Sequence, residues 1–201
     1  MPRLVLASGS PRRQQLLSQL GLRFETMPSS LRENKYDRLP PEERVRALAR
    51  AKALEVARNL SEAVVVGADT LVVCQGRVLG KPSSPAEAEA MLSFLSGKTH
   101  RVYTGVAVVA VPGKVIREAW ECTEVRFRRL TPKEIKAYVA TGEPLDKAGA
   151  YGIQGRGALL VEGIKGDFFN VVGLPLVKTA GLLEEFGIDI WGGPKADGGK
   201  E

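Results

Sequence analysis

At 201 residues, 44% apolar and 26% charged, the chain has the composition of a soluble globular protein. It is long enough to bury a core as one domain or two intimate lobes. No run of eighteen apolar residues occurs, which excludes a membrane-spanning helix, and the first strand begins too early for a signal peptide, so a cytoplasmic location is expected. The net charge of +6 is concentrated in residues 1–60, which hold 12 Lys and Arg against 6 Asp and Glu.

Leu4, Val5, Leu6 and Ala7 read as a buried strand that feeds the small-residue loop Ser8-Gly9-Ser10. A helix over 11–20 follows and ends at Gly21, with Ser10 suited to its N-cap and Pro11 to its first position. Loop N–H groups, two serine hydroxyls, a helix N-terminus and Arg12 and Arg13 then converge on one point. Such an assembly is an anion site, and phosphate is its natural occupant. A short strand over 24–28 and a polar loop carrying Glu33 lead to a long helix over 41–60, whose first turn holds Glu42 and Glu43.

An apolar strand over 64–73 turns at Gly76 into a short partner over 77–79. Ser84-Pro85-Ala86-Glu87 is a capping box that opens a helix to Leu95, closed by Gly97. Long strands over 100–111 and 118–130 form a hairpin at Pro112-Gly113, and Thr131-Pro132-Lys133-Glu134 is a second capping box, for a helix to Ala140. After a glycine-rich loop over 141–157, segments 158–161 and 168–172 read as a hairpin around Gly166-Asp167, followed by a last helix over 175–186. Residues 189–201 end in GGPKADGGKE, which offers nothing to a core, so a disordered tail is expected beyond a single domain over 1–188. This mixture of elements implies an α/β or mixed α+β domain around a mixed sheet.

Asp69 stands within VVVGADTLVV, where it loses hydration and needs a metal, a cation or a strong donor. The choice lies between a strand-end aspartate that caps a turn and a carboxylate that binds a divalent ion or activates water. Lys52 falls in the middle of the apolar stripe Val45, Leu48, Ala49 and Val56. It is either a snorkelling side chain or a phosphate ligand. Gly80-Lys81-Pro82 holds a lysine at a strand exit, and Gln154 in the glycine-rich loop has an amide able to read the edge of a base.

Several alternatives fail. Leu95-Ser96-Gly97-Lys98-Thr99 ends like a P-loop, but Leu92 occupies the required upstream glycine position. His100 is the lone histidine, which removes His-ligated zinc clusters and makes a Ser-His-Asp triad a poor reading. Cys74 and Cys122 are isolated and read as reduced thiols. The scarcity of aromatics among the N-terminal cations speaks against nucleic acid and for a small polyanion. What is left, carboxylates, lysines, arginines and a metal, suits phosphate-ester or anhydride chemistry.

Taken in order, LASGSPRRQQLL, VVGADTLVV, LGKP, LSGKTHRVYTGVAV, YVATGEPLDKAGAYGIQG and VVGLPL closely resemble the Maf (septum-formation) family of nucleoside triphosphate pyrophosphatases. The resemblance covers about residues 4–186. It implies an elongated mixed sheet flanked by helices, with two lobes around a deep cleft, similar to inosine-triphosphate pyrophosphatase. It also implies metal-dependent cleavage between the α- and β-phosphates, with Mg²⁺ or Mn²⁺ as cofactor. By position Asp69 would accept the proton of the attacking water and share the metal with Glu33, while Ser8, Arg13, Lys52 and Lys81 would hold the triphosphate. Arg12, Thr70 and Gln154 match the positions linked to base preference in the dTTP/UTP branch. A house-cleaning role and an effect on septum formation are family attributions, and a homodimer fits by analogy although no stripe demands one. The competing class is a nucleotide-sensing or nucleic-acid-binding regulator without turnover. Because Asp69 and Thr70 face opposite sides of a regular strand, a break near residues 68–70 is expected if both serve one cleft.

Overall fold

The computed structural model describes residues 2–31 and 36–192. Among these, seven strands form one mixed sheet: β1 (Leu4–Leu6), β2 (Glu25–Thr26), β3 (Ala63–Cys74), β4 (Arg77–Leu79), β5 (Thr99–Val111), β6 (Val115–Phe127) and β7 (Val161–Lys165). The order across the sheet is β2-β1-β3-β5-β6-β7, with β4 pairing β3. β1 runs parallel to β2 and β3, and the other pairings are antiparallel. Among the described residues, six α-helices flank the sheet: α1 (Pro11–Ser18), α2 (Pro41–Ala57), α3 (Pro85–Leu95), α4 (Pro132–Val139), α5 (Phe168–Val172) and α6 (Leu176–Glu184). No helix of the described residues is long and apolar enough to cross a membrane.

The long strands β3, β5 and β6 rise about 3.3 Å per residue, so each runs the length of the molecule and serves two core regions. At one end Leu4, Leu6, Leu16, Leu17, Val64, Val66 and Leu183 pack on one face, while Val5, Ala53, Val56 and Val65 pack beneath α2 on the other. At the far end Leu79, Leu92, Leu95, Val102, Phe127 and Tyr151 form a separate cluster under α3 and α4. α2 lies unusually close to the sheet because Gly67 and Gly105 offer it bare backbone. A Cβ on Gly67 would stand 2.2 Å from the Ala49 carbonyl oxygen, and one on Gly105 would stand 2.3 Å from that of Val45.

Four expectations are corrected. β3 has no break at residues 68–70; its pairing with β5 is continuous through Ala68↔Val106, Asp69↔Gly105 and Thr70↔Thr104. The hairpin around Gly166-Asp167 does not form: β7 pairs with β6, and 168–172 is the helix α5. The aspartate marks a helix start, since its carboxylate accepts the Phe169 N–H at 2.8 Å. Ser10 occupies the N-cap of α1 without capping it through its side chain; its own N–H instead donates to Ser8 Oγ at 3.2 Å. The first capping box is half formed, because Ser84 caps the Glu87 N–H while the Glu87 carboxylate accepts from Ser83. The second box, on Thr131 and Glu134, is complete.

Candidate active site

One edge of β3 is covered throughout by β5, but the opposite edge has two short partners. β1 covers Val64 to Val66 and β4 covers Val72 to Cys74. Residues 67–71 between them have no strand partner on that edge among the described residues. A cavity of about 680 Å³ opens in this gap, bounded by the loop that leaves β1 and the one that leaves β4. Its placement resolves the strand-facing problem. Side chains from both faces of β3 reach a space that lies beside the strand, so Asp69 and Thr70 both line it without any bend in the backbone.

Asp69 is 6% exposed and faces α2, where the close helix approach brings Lys52 Nζ to 2.7 Å from its Oδ1. Lys52 is thus a half-buried partner of a carboxylate within the cavity, rather than a side chain snorkelling to solvent. On the other face, Arg13 Nη2 donates to Thr70 Oγ1 at 3.0 Å and Arg13 Nε donates to the Gly173 carbonyl at 2.8 Å. Its contact with Ser8 Oγ is long, 3.4 Å, and weak. Ser8 itself is buried and lines the cavity beside Gly9 and Ser10. Lys81 lines it from the exit of β4, exposed to solvent, and Gln154 from the glycine-rich loop. Arg12 reaches across the mouth to Asp146, 3.1 Å away. Glu33 lies outside the described residues.

The cavity therefore gathers Ser8, Arg12, Arg13, Lys52, Asp69, Thr70, Lys81 and Gln154. It also gathers residues that the sequence reading passed over. Asp146 accepts from Arg12 and, at 2.7 Å, from Lys147 Nζ. Burial would raise the Asp146 carboxyl, but the Lys147 hydrogen bond and the charge of Arg12 outweigh it and hold the group below the usual carboxylate range. Arg44 lies two turns before Lys52 on α2 and pairs with Asp37 at 2.7 Å.

Tyr151, on the cavity wall, shares a 2.7 Å hydrogen bond with His100 Nε2 behind it, and burial pushes His100 down to about 4. Among the described residues, no group of three or more His, Cys, Asp or Glu surrounds one point. Six cationic residues (Arg12, Arg13, Arg44, Lys52, Lys81, Lys147) and two carboxylates (Asp69, Asp146) among the described residues line the cavity, an excess of four positive charges. Such a cavity suits a multiply charged anion that also presents something to the Asp69 carboxylate.

Comparison with known proteins agrees with this geometry. A family model for Maf-like proteins matches residues 3–186. A protein of Moorella thermoacetica named dTTP/UTP pyrophosphatase is 65% identical over 192 residues, which cover 96% of this chain and 99% of that one. A dTTP/UTP pyrophosphatase of Bacillus cereus (strain AH820) is 50% identical over 190 residues, 94% of this chain and 98% of the other. A HAM1 protein from Coxiella burnetii shares the fold at a TM-score of 0.51 and 15% identity, covering 92% of this chain and all of its own. The chain belongs to the Maf family.

Proposed function

We propose that the protein hydrolyses dTTP and UTP to the nucleoside monophosphate and pyrophosphate in the cavity beside β3. The observation that carries the reading is a buried carboxylate, Asp69, in a pocket large enough for a nucleotide whose described lining carries an excess of four positive charges. The names of the close relatives supply the bases.

Ser8, Arg13 and Lys81 bind phosphate oxygens, with the loop after β1 offering backbone N–H groups as well. Lys52 exchanges part of its contact with Asp69 for a phosphate oxygen, which its flexible stem and three N–H donors permit. Asp69 Oδ takes the proton from the attacking water. Arg12, Thr70 and Gln154 face the nucleoside end.

The donor set fits a divalent ion such as Mg²⁺ or Mn²⁺. The buried Asp69 carboxylate, completed by the substrate's phosphates, would offer such an ion the hard oxygen ligands it uses. Asp69 would hold it together with Glu33, the partner that the family resemblance assigns. When bound, the ion neutralises phosphate charge and lowers the pKa of water.

The test is a panel of nucleoside triphosphates with Mg²⁺ or Mn²⁺, with products resolved by chromatography, run on the wild type and on Asp69→Asn. UMP and dTMP should appear with pyrophosphate ahead of purine products. Asp69→Asn should lose turnover by at least about a thousandfold while it still binds nucleotide. Orthophosphate as the product, or an unaltered rate in the variant, overturns the reading.

A further inference from the structure

A line of buried hydrogen bonds leads from the cavity into the core, and each of its protons is assigned by the chemistry of the two ends. Arg13 Nη2 can only donate, so Thr70 Oγ1 accepts from it at 3.0 Å. At the other end the main-chain carbonyl of Asn170 can only accept, so the Thr104 hydroxyl donates to it at 2.9 Å. Between them the Thr70 and Thr104 hydroxyl oxygens stand 3.0 Å apart. The Thr104 proton is already committed, so the proton in that contact belongs to Thr70.

Thr70 therefore points its O–H away from the cavity and keeps only a lone pair for a ligand. Thr104 and Asn170 are both wholly buried, so no water competes for the arrangement. The far end is anchored as well: Asn170 Nδ2 donates to the Val102 carbonyl at 2.9 Å and to Thr123 Oγ1 at 2.8 Å, and Thr123 donates to the Asp167 carbonyl. Arg13 Nε on the Gly173 carbonyl ties the guanidinium to the same C-terminal end of α5. Thr104 and Arg13 thus satisfy helix carbonyls that would otherwise be orphaned.

We propose that Thr104 is a positioning residue for base selection: by fixing the direction of the Thr70 proton, it makes Thr70 an acceptor that favours a ligand donor facing it. The inference rests on the nucleotide reading given above. Uracil and thymine carry a donor, N3–H, where cytosine carries a bare N3 acceptor. An acceptor-only Thr70 welcomes the first and is mismatched to the second.

The experiment compares wild type, Thr104→Val and Thr104→Ser. Valine keeps the shape and removes the hydroxyl, which frees the Thr70 proton to rotate. Serine keeps the hydroxyl and tests rescue. Binding of UTP and CTP is measured without divalent ion, so that it is read independently of turnover, and kcat/KM for both is then measured with Mg²⁺. Thermal melting shows that each variant is folded at the assay temperature.

The expected result is a fall of about tenfold in the UTP-over-CTP preference in Thr104→Val, the worth of one buried hydrogen bond, with the preference restored in Thr104→Ser. An equal loss for both nucleotides, or no change in their ratio, overturns the proposal and leaves Thr104 a purely structural residue. Should the wild type bind UTP selectively yet release no pyrophosphate, the hydrolytic reading fails, while a collapse of binding selectivity in Thr104→Val still supports the positioning role.

Discussion

Lys52 and Asp69 make a buried ion pair, with side chains 15% and 8% exposed and 2.7 Å apart. Two charges taken out of water stay there only while each compensates the other, so removal of one is costly even where the pair itself adds little. Lys52→Met should lower stability by about 3 kcal/mol in urea unfolding and raise KM for the nucleotide. Loss of an exposed pair such as Arg101 with Glu124 should cost under about 1 kcal/mol. A methionine variant as stable as wild type would mean that Asp69 does not depend on the lysine. These two residues were legible in the sequence because each breaks a strong local pattern: a carboxylate inside an apolar strand, a cation inside an apolar stripe. Asp146 broke no pattern. It sits among polar and glycine neighbours, and only the fold brings it to Arg12, 134 positions earlier in the chain.

At the scale of elements, the site depends on how closely α2 lies on the sheet. Gly105 pairs with Asp69 across the β3–β5 ladder and also accepts the backbone of Val45 against its bare Cα. A methyl group placed 2.3 Å from a main-chain oxygen forces the helix outward and draws Lys52 away from Asp69. Gly105→Ala should therefore cost about 3 kcal/mol in stability and reduce turnover in the residual folded population. Full activity in a folded variant would show that the helix position is not needed. The capped helices α3 and α4, the helix α2 with its apolar stripe, and the apolar strands β3 and β5 follow from their sequences. The segment at α5 does not. Five residues, Phe-Phe-Asn-Val-Val, carry the aromatic and β-branched content of a strand, and too few turns to show a helical period. Tertiary contacts decide it: the Asp167 cap at one end, Thr104 and Arg13 on its carbonyls at the other. Likewise the expected kink at residues 68–70 treated β3 alone, whereas the discontinuity belongs to its partners β1 and β4.

Across the whole molecule, the three long strands join two core regions of different character. The one near β1 is aliphatic apart from Phe24, Phe169 and Phe186 at its margin. The other encloses His100, 2% exposed, in edge contact with Phe127 and Tyr151 at ring distances of 5.0 and 5.3 Å. Burial holds this imidazole neutral in the folded protein down to about pH 4, whereas in the unfolded chain it protonates near its ordinary value of 6.5. The sign follows from proton counting. Between those two values the unfolded state binds more protons, so stability falls as pH is lowered through this window, and below about 4 the group costs nothing further. From pH 7 to pH 5 the loss amounts to about 2 kcal/mol, in a range where most carboxylates have not begun to titrate. Urea unfolding at pH 7, 6 and 5 should show this slope in the wild type and a flatter one in His100→Gln. An equal slope in both would place the acid sensitivity elsewhere.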